Sequence, residues 1–412
     1  MSALDLAILL GYPEISGGTN VIMEHALGLR RLGHRVAIVT EQPFDPRRLA
    51  WKPGAAEELE LLCHAGCRER EFDLAMATWW RSVFDLPFVP ARRYAYFVQS
   101  IESRFFGEQD PDLRALADYT YSQPLEIVTE ATWIQRHLRE RYGHEPVLVH
   151  NGVDKRIFRP DGPALEPRPT AGPPPASAAQ TGGGLRVLVE GALRVPFKRV
   201  ELTVELCRKA GIDDLWLLTP TPCERFGGVR RLLSKVPMPE VGAVYRSCDV
   251  LVKLSTVEGM FGPPLEMMHC GGTAITSDVT GHDEYMRHDV NGLVVPIGQE
   301  HQVVEHLRRL RDDPALLERL KRRAAETAAA WPDWPEAVRG MDAFIRSVCE
   351  RPVTREVEWR NMRRHLQAAL RLAGPLHRVM TDDLSGWDLL RRLGKRVCNR
   401  ALALVRRRRP GA

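Results

Sequence analysis

The sequence predicts an α/β protein built from two doubly wound parallel domains, and three observations predict it. Apolar, β-branched runs alternate with helix-like runs through the amino-terminal part of the chain. A stretch rich in proline and glycine then interrupts the pattern, and the same alternation restarts after it. Alternation of this kind, with strands that are apolar throughout, belongs to parallel sheets covered by helices on both faces.

The elements follow in order. LDLAILLGY (4–12) reads as the first strand; it is short, lacks a basic leader and contains Asp5, so it is not read as a secretory signal. VIMEHALGLRRLG (21–33) has helical spacing, and RVAIVT (35–40), FDLAMATWW (72–80), RYAYFVQS (93–100) and PVLVHNGV (146–153) read as further strands. Residues 161–184 hold six Pro and five Gly with little to bury, which predicts a linker. LRVLVEGAL (185–193), the helix RVELTVELCRKAG (199–211), LWLLTP (215–220), VYRSCDVLVKLS (244–255), GTAITS (272–277) and GLVVP (292–296) restart the alternation. Residues 300–349 read as helices. The expected division is therefore 1–160, a linker at 161–184, a second domain at 185–350 and a tail at 351–412.

Composition bounds the function. At 412 residues the chain is too long for one ordinary core. Hydrophobic and charged fractions of 44% and 27% are those of soluble globular proteins, and no apolar run reaches membrane-spanning length. The eight cysteines are scattered, which argues against a disulfide framework and for a reducing cytoplasm. Cys63, His64 and Cys67 cluster, but no second half-site follows at zinc spacing, so no structural zinc is expected. The net charge of +5 divides into −6 over residues 1–350 and +11 over residues 351–412.

Chemistry concentrates in STVEGMFGPPLEMMHCGGTAIT, where Glu258 and Glu266 stand eight positions apart at a strand-to-helix turn. A helix entered at Pro263 and Pro264 points unpaired N–H groups and its positive end into that turn, which favours a phosphate. Two carboxylates beside a phosphate make sense if the ligand also carries hydroxyls, because carboxylates accept the hydrogen bonds that sugar hydroxyls donate. The spacing alone fits equally well a surface helix with two acids near its start.

Several segments, taken in order and spacing, resemble the GT-B-fold retaining glycosyltransferases of family 4. They are GYPEISGGTNVIMEHALGLRRLGHRVAIVT (11–40), NGVDKRIFRP (151–160), LVEGALRVPFKRV (188–200), STVEGMFGPPLEMM (255–268) and GHDEYMRHDVNGLVVP (281–296). The resemblance covers about residues 4–350 and implies two Rossmann-like domains, an acceptor domain and a donor domain, facing across a cleft. It implies that Gly17 and Gly18 form a glycine loop, that Lys198 neutralises the departing diphosphate, and that Glu258 holds hydroxyls of the donor sugar. Glu266 would hold the ribose, and backbone N–H groups in the stretch from Gly262 to Leu265, which includes Pro263, would receive phosphates or sugar. In such enzymes the departing phosphate oxygen takes the acceptor's proton, so no protein nucleophile is required.

The chain departs from the family pattern in three places. The arginine six positions before the lysine is replaced by Ala192, and Arg194 is the expected substitute. Phe261 stands where a glycine is usual, with Gly262 following. Gln99 occupies the place of a histidine near the reacting sugar; an amide binds hydroxyls but cannot shuttle a proton, which argues against a general base there. Asp110 and Asp112 form a DPD triplet in a polar loop outside the donor domain, and no metal or other cofactor is expected.

Within the family, YFVQSIESRFF (96–106), PPLEMM (263–268) and SDVTGHDEYM (277–286) look most like bacterial surface-polysaccharide rhamnosyltransferases. The expected function is transfer of a sugar, with L-rhamnose as the sugar suggested, from a nucleoside diphosphate to a glycan or lipid-linked acceptor. A nucleotide-sugar epimerase on the same fold and a non-catalytic scaffold are the alternatives; Gln99 argues against the first, while Ala192 and Phe261 favour the second. Residues 384–409 space Trp387, Leu390, Leu393, Val397, Ala401 and Leu404 at helical intervals among arginines. That pattern suits peripheral attachment to an anionic membrane surface from the cytoplasm, and equally a helix docked on the body. No motif that reads nucleic acid accompanies the charge, and no nucleic acid is expected.

Overall fold

A computed structural model describes residues 2–169, 184–352, 357, 359 and 364. Thirteen strands among these residues form two parallel sheets. The first runs β3-β2-β1-β4-β5-β6-β7 and the second β10-β9-β8-β11-β12-β13. In the first, β1 (Asp5–Leu9), β2 (Arg35–Thr40), β3 (Glu60–Cys63), β4 (Phe72–Ala77), β5 (Ala91–Val98), β6 (Glu126–Thr129) and β7 (Val147–Leu148) are all parallel to their neighbours. The second holds β8 (Val187–Glu190), β9 (Leu215–Thr219), β10 (Arg231–Ser234), β11 (Val250–Lys253), β12 (Thr273–Ser277) and β13 (Leu293–Val295), again all parallel. This is the two-domain, doubly wound GT-B architecture.

The central strands are apolar throughout because helices cover both faces; β1 and β9 are buried at every position. In each sheet the winding reverses beside the first strand, between β1 and β4 and between β8 and β11. The crevices that open at these reversals, outside the carboxyl ends of the strands, are where open α/β sheets take ligands. Here the two crevices face each other.

Two segments depart from the expected division. The helix Trp334–Glu350 returns to the first domain, where Val338, Met341, Phe344, Ile345 and Val348 join the core built on β1, β2 and the helix Gly17–Arg31. Its amphipathic pattern matches the apolar face of that sheet, and a Cβ on Gly28 would stand 2.3 Å from Val338 Cγ2, so the two helices meet at close range. Residues 161–169, expected as the start of a linker, are fastened to the second domain. The Arg168 guanidinium donates to the carbonyls of Cys248, Gly271 and Cys270 at 2.7–2.9 Å, and Arg246 Nε donates to the Pro163 carbonyl. Residues 170–183 and the segment 384–409 lie outside the described residues. No helix among those described is long and apolar enough to cross a membrane.

Candidate active site

The facing crevices enclose a cavity of about 910 Å³. Its second-domain wall is built at the reversal between β8 and β11. Glu190 ends β8, Lys253 ends β11, and the turn after β11 carries Glu258 into the helix Gly262–His269. Two prolines sit in the first helical positions, where no N–H is missed, as the sequence predicts.

Lys198, in the short 3-10 turn Pro196–Lys198, donates from Nζ to both carboxylate oxygens of Glu258 at 2.8 Å. Burial pulls the Glu258 carboxyl up, but Lys198 and Lys253 outweigh it and hold the group below the ordinary carboxylate range, as an anion. Lys253 Nζ donates to the Glu190 carbonyl at 3.2 Å and to its carboxylate, and stands 4.0 Å from Glu258 Oε1. Burial works against its charge, and Glu190 and Glu258 outweigh burial, so it stays protonated. Glu266, one turn into the helix, lies in the same wall beside the Tyr245 hydroxyl; burial, with Glu190 adding to it, raises its carboxyl to about 7.

The first-domain wall comes from the carboxyl ends of β1, β4, β5 and β6. Ser16 caps the helix Gly17–Arg31, accepting the Thr19 N–H at 3.0 Å, and leaves Gly17 and Gly18 exposed at the cavity. Gln99 Nε2 donates to the Thr78 carbonyl at 3.2 Å, so its Oε1 is left to accept, and a Cβ on Gly18 would stand 3.4 Å from that oxygen. Trp79 and Tyr12 form an aromatic side to this wall, with ring centroids 5.8 Å apart.

Contacts across the cleft hold the walls together. Glu130, at the end of β6, accepts the Met260 N–H; Trp133 Nε1 donates to the Gly259 carbonyl at 3.0 Å; and Phe105 stacks on Phe197 at 5.3 Å. Glu284 of the second domain accepts the Thr132 N–H at 2.7 Å and pairs with His150 at 3.0 Å.

Of the residues singled out in the sequence, Gly17, Gly18, Gln99, Lys198, Glu258, Gly262, Pro263 and Glu266 line this one cavity. Two do not. Arg194 sits in an exposed left-handed turn, φ +62°, outside the lining, so its side chain does not take the place vacated at Ala192. Leu265 is fully buried in the core beneath, and its N–H goes to the Tyr285 hydroxyl, which itself donates to the Phe261 carbonyl. Phe261 is likewise fully buried, so the residue that replaces the usual glycine fills the core under the turn. Glu190, Lys253 and Glu130 were not singled out. The signal in the sequence is a charge closing an apolar parallel strand, in VLVE and VLVK, since such ends open onto the ligand crevice. Among the described residues no group of three His, Cys, Asp or Glu side chains is arranged to hold a metal.

Comparison with known proteins agrees with this architecture. Residues 230–327 match the model of glycosyl transferases group 1. The O-antigen biosynthesis protein RfbC of Myxococcus xanthus is 29% identical over 287 residues, 67% of this chain and 21% of that protein. A D-inositol 3-phosphate glycosyltransferase of Thermobispora bispora is 30% identical over 238 residues, 54% of this chain and 55% of that one. The chain thus spans about half or less of the length of these curated relatives. Among solved structures, Anabaena HepE in complex with UDP-glucose superposes with a TM-score of 0.65 at 14% identity, covering 84% of this chain and all of that one. Sucrose-phosphate synthase from Thermosynechococcus elongatus gives 0.63 at 16%, covering 83% and 98%. Such likeness carries the fold, a GT-B architecture, and residues 230–327 carry the similarity to the glycosyl transferases group 1.

Proposed function

We propose that the protein is a retaining glycosyltransferase that moves a sugar from a nucleoside diphosphate to a glycan or lipid-linked acceptor in the synthesis of a cell-surface polysaccharide or glycolipid. The observation that carries this reading is the Lys198–Glu258 pair, set in a cavity at the winding reversal of the second sheet with Glu266 beside it. A cation in a closed cleft of low dielectric stabilises a departing diphosphate far more than it would in water. Glu258, held ionised, accepts hydroxyls of the donor sugar, and Glu266 those of the ribose. The Gly262 N–H is spent on the Met260 carbonyl at 2.9 Å and the Met260 N–H on Glu130, so the phosphates fall to the lysines.

No side chain of the first wall is offered as a base. Gln99 accepts a sugar hydroxyl through Oε1, and the acceptor's proton goes to the departing phosphate oxygen. Two of the relatives support this reading: RfbC is an O-antigen biosynthesis protein, and HepE was solved with UDP-glucose. L-rhamnose is the sugar proposed, on the likeness of the segments at 96–106, 263–268 and 277–286. Attachment to an anionic membrane surface is proposed for the basic segment 384–409, where a lipid-linked acceptor would be met. Deleting 384–412 then moves the protein from membrane to soluble fractions with nucleotide binding intact, and unchanged fractionation removes the membrane role.

Thermal unfolding with UDP, dTDP, GDP and ADP tests the donor site. A nucleotide at about 100 times its Kd adds roughly 2.7 kcal/mol of stability, and selective stabilisation names the base. Donor turnover that depends on acceptor separates transfer from epimerisation, and no turnover with any donor leaves a scaffold.

A further inference from the structure

We propose that Lys253 is the second cation of the diphosphate site, filling the role that Ala192 leaves vacant, and that Glu190 holds its ammonium in place for the incoming phosphate. The inference rests on the donor reading above and adds a residue to it. Lys253 is 3% exposed, at the carboxyl end of β11, one strand from Glu190 at the end of β8. A Cβ on Gly191 would stand 3.8 Å from Lys253 Nζ and 3.7 Å from Lys198 Cβ, so both lysines converge on the turn that carries Ala192. Arg194, the other cation near that turn, is exposed and off the cavity.

The hydrogen-bond geometry leaves room for a ligand. An ammonium has three donors; Lys253 spends two on the Glu190 carbonyl and carboxylate, and Lys198 spends two on Glu258. Each keeps one donor unspent, and both residues line the cavity. The wall therefore presents two cations, each steadied by its own carboxylate, where two phosphate groups would arrive. The fold does not require the buried Glu190–Lys253 pair, because exchanging a buried ion pair for neutral side chains of similar volume is often neutral or stabilising. Removing Lys253 alone is another matter, since it strands the Glu190 carboxylate; removing the Glu190 charge alone leaves Lys253 with Glu258 at 4.0 Å.

The experiment compares nucleoside diphosphates with the matching monophosphates. Wild type, Glu190→Gln, the double variant Glu190→Gln/Lys253→Met, Lys253→Arg and Arg194→Ala are titrated calorimetrically with UDP, dTDP, GDP and ADP and with UMP, dTMP, GMP and AMP. For whichever base the wild type binds, the double variant should lose about ten- to a hundredfold in diphosphate affinity and far less for the monophosphate. Glu190→Gln, which keeps the lysine, should retain the preference for diphosphate, and Lys253→Arg should retain most of it. Equal losses for both nucleotides in the double variant, or no loss, overturn the proposal, as does a preference abolished by Arg194→Ala. A wild type that binds no nucleoside diphosphate overturns the donor reading itself, and the role of Lys253 with it.

Discussion

Glu130 Oε1 accepts the Met260 N–H at 2.9 Å, a bond from the end of the first sheet to the turn after β11 in the second. The same carboxyl receives Asn151 Nδ2 at 2.8 Å, from the strand-end segment where the chain leaves the first domain. One buried carboxyl thus ties together the cleft, the turn bearing Glu258 and the crossing between domains. Replacing Glu130 with Ala strands the Met260 N–H and the Asn151 amide and should cost about 1–3 kcal/mol in a thermal or urea unfolding experiment. Glu130→Gln should cost much less, because its carbonyl still accepts the Met260 N–H and Asn151, whose Oδ1 has no partner, can turn to meet the new amide. Equal losses for both variants would show that charge, rather than hydrogen bonding, carries the contact.

Three buried carboxyls make stability depend on pH. Burial raises Glu102 to about 8, and Glu130 and Glu266 to about 7, from an ordinary value of 4.5. Each therefore holds its proton in the folded protein over a range where the unfolded chain has released it. Their contribution is fully present below the ordinary carboxyl value and is lost as pH rises through about 7 to 8. Each adds a slope of at most about −1.4 kcal/mol per pH unit in that window. Glu102 accepts the Trp80 N–H and the Tyr96 hydroxyl, both of which a Gln carbonyl can replace. Glu102→Gln should accordingly flatten the fall in stability between pH 5 and 8, read as a denaturation midpoint at each pH, and an unchanged slope would remove Glu102 from the account.

The parts of this molecule that were legible in the sequence are those whose signal is local. Central strands such as β1 and β11 are continuous apolar runs, and the helix at Gly262 announces itself by Pro263 and Pro264. Two of the four edge strands were not legible: β3 and β10 have four residues each, half-buried, and ELLC and RLLS carry no usable period, whereas the edges β7 and β13 fall within the apolar runs PVLVHNGV and GLVVP. The helix Trp334–Glu350 was readable as a helix, but its apolar face does not say which of two sheets it covers. Likewise Glu258 and Glu266 stand out beside glycine and proline, whereas Lys253 and Glu190 look like ordinary ends of strands. Their meaning lies in a pairing 63 positions apart, which only the order β8-β11 creates.

Glu266 offers a direct test of the nucleotide assignment. Its carboxyl lies on the cavity wall with the Tyr245 hydroxyl as its neighbour, one turn from the helix start. Glu266→Ala should weaken nucleoside diphosphate binding by about 1–3 kcal/mol, the cost of leaving ribose hydroxyls without their carboxyl acceptor. Comparing a ribonucleotide with its 2′-deoxy counterpart on both proteins assigns the contact: discrimination present in the wild type should shrink in the variant. Affinity that does not change takes Glu266 out of the site.

Gly259 separates binding from transfer. It lies in the turn after β11, its carbonyl accepts Trp133 Nε1, and a Cβ added there would stand 1.9 Å from the Gln99 carbonyl oxygen and 2.7 Å from Glu130 Oε1. Gly259→Ala leaves the second domain able to bind a nucleotide, because the clash is entirely with the first domain. The two walls, however, can no longer meet at Gln99. A displacement of about 1 Å at a reacting centre costs on the order of a hundredfold in rate. Nucleotide affinity should therefore hold while acceptor-dependent transfer falls by about that factor. If affinity and transfer fall together, the donor itself spans the cleft and draws on the first domain for binding, and Gln99 becomes the first residue to examine for that contact.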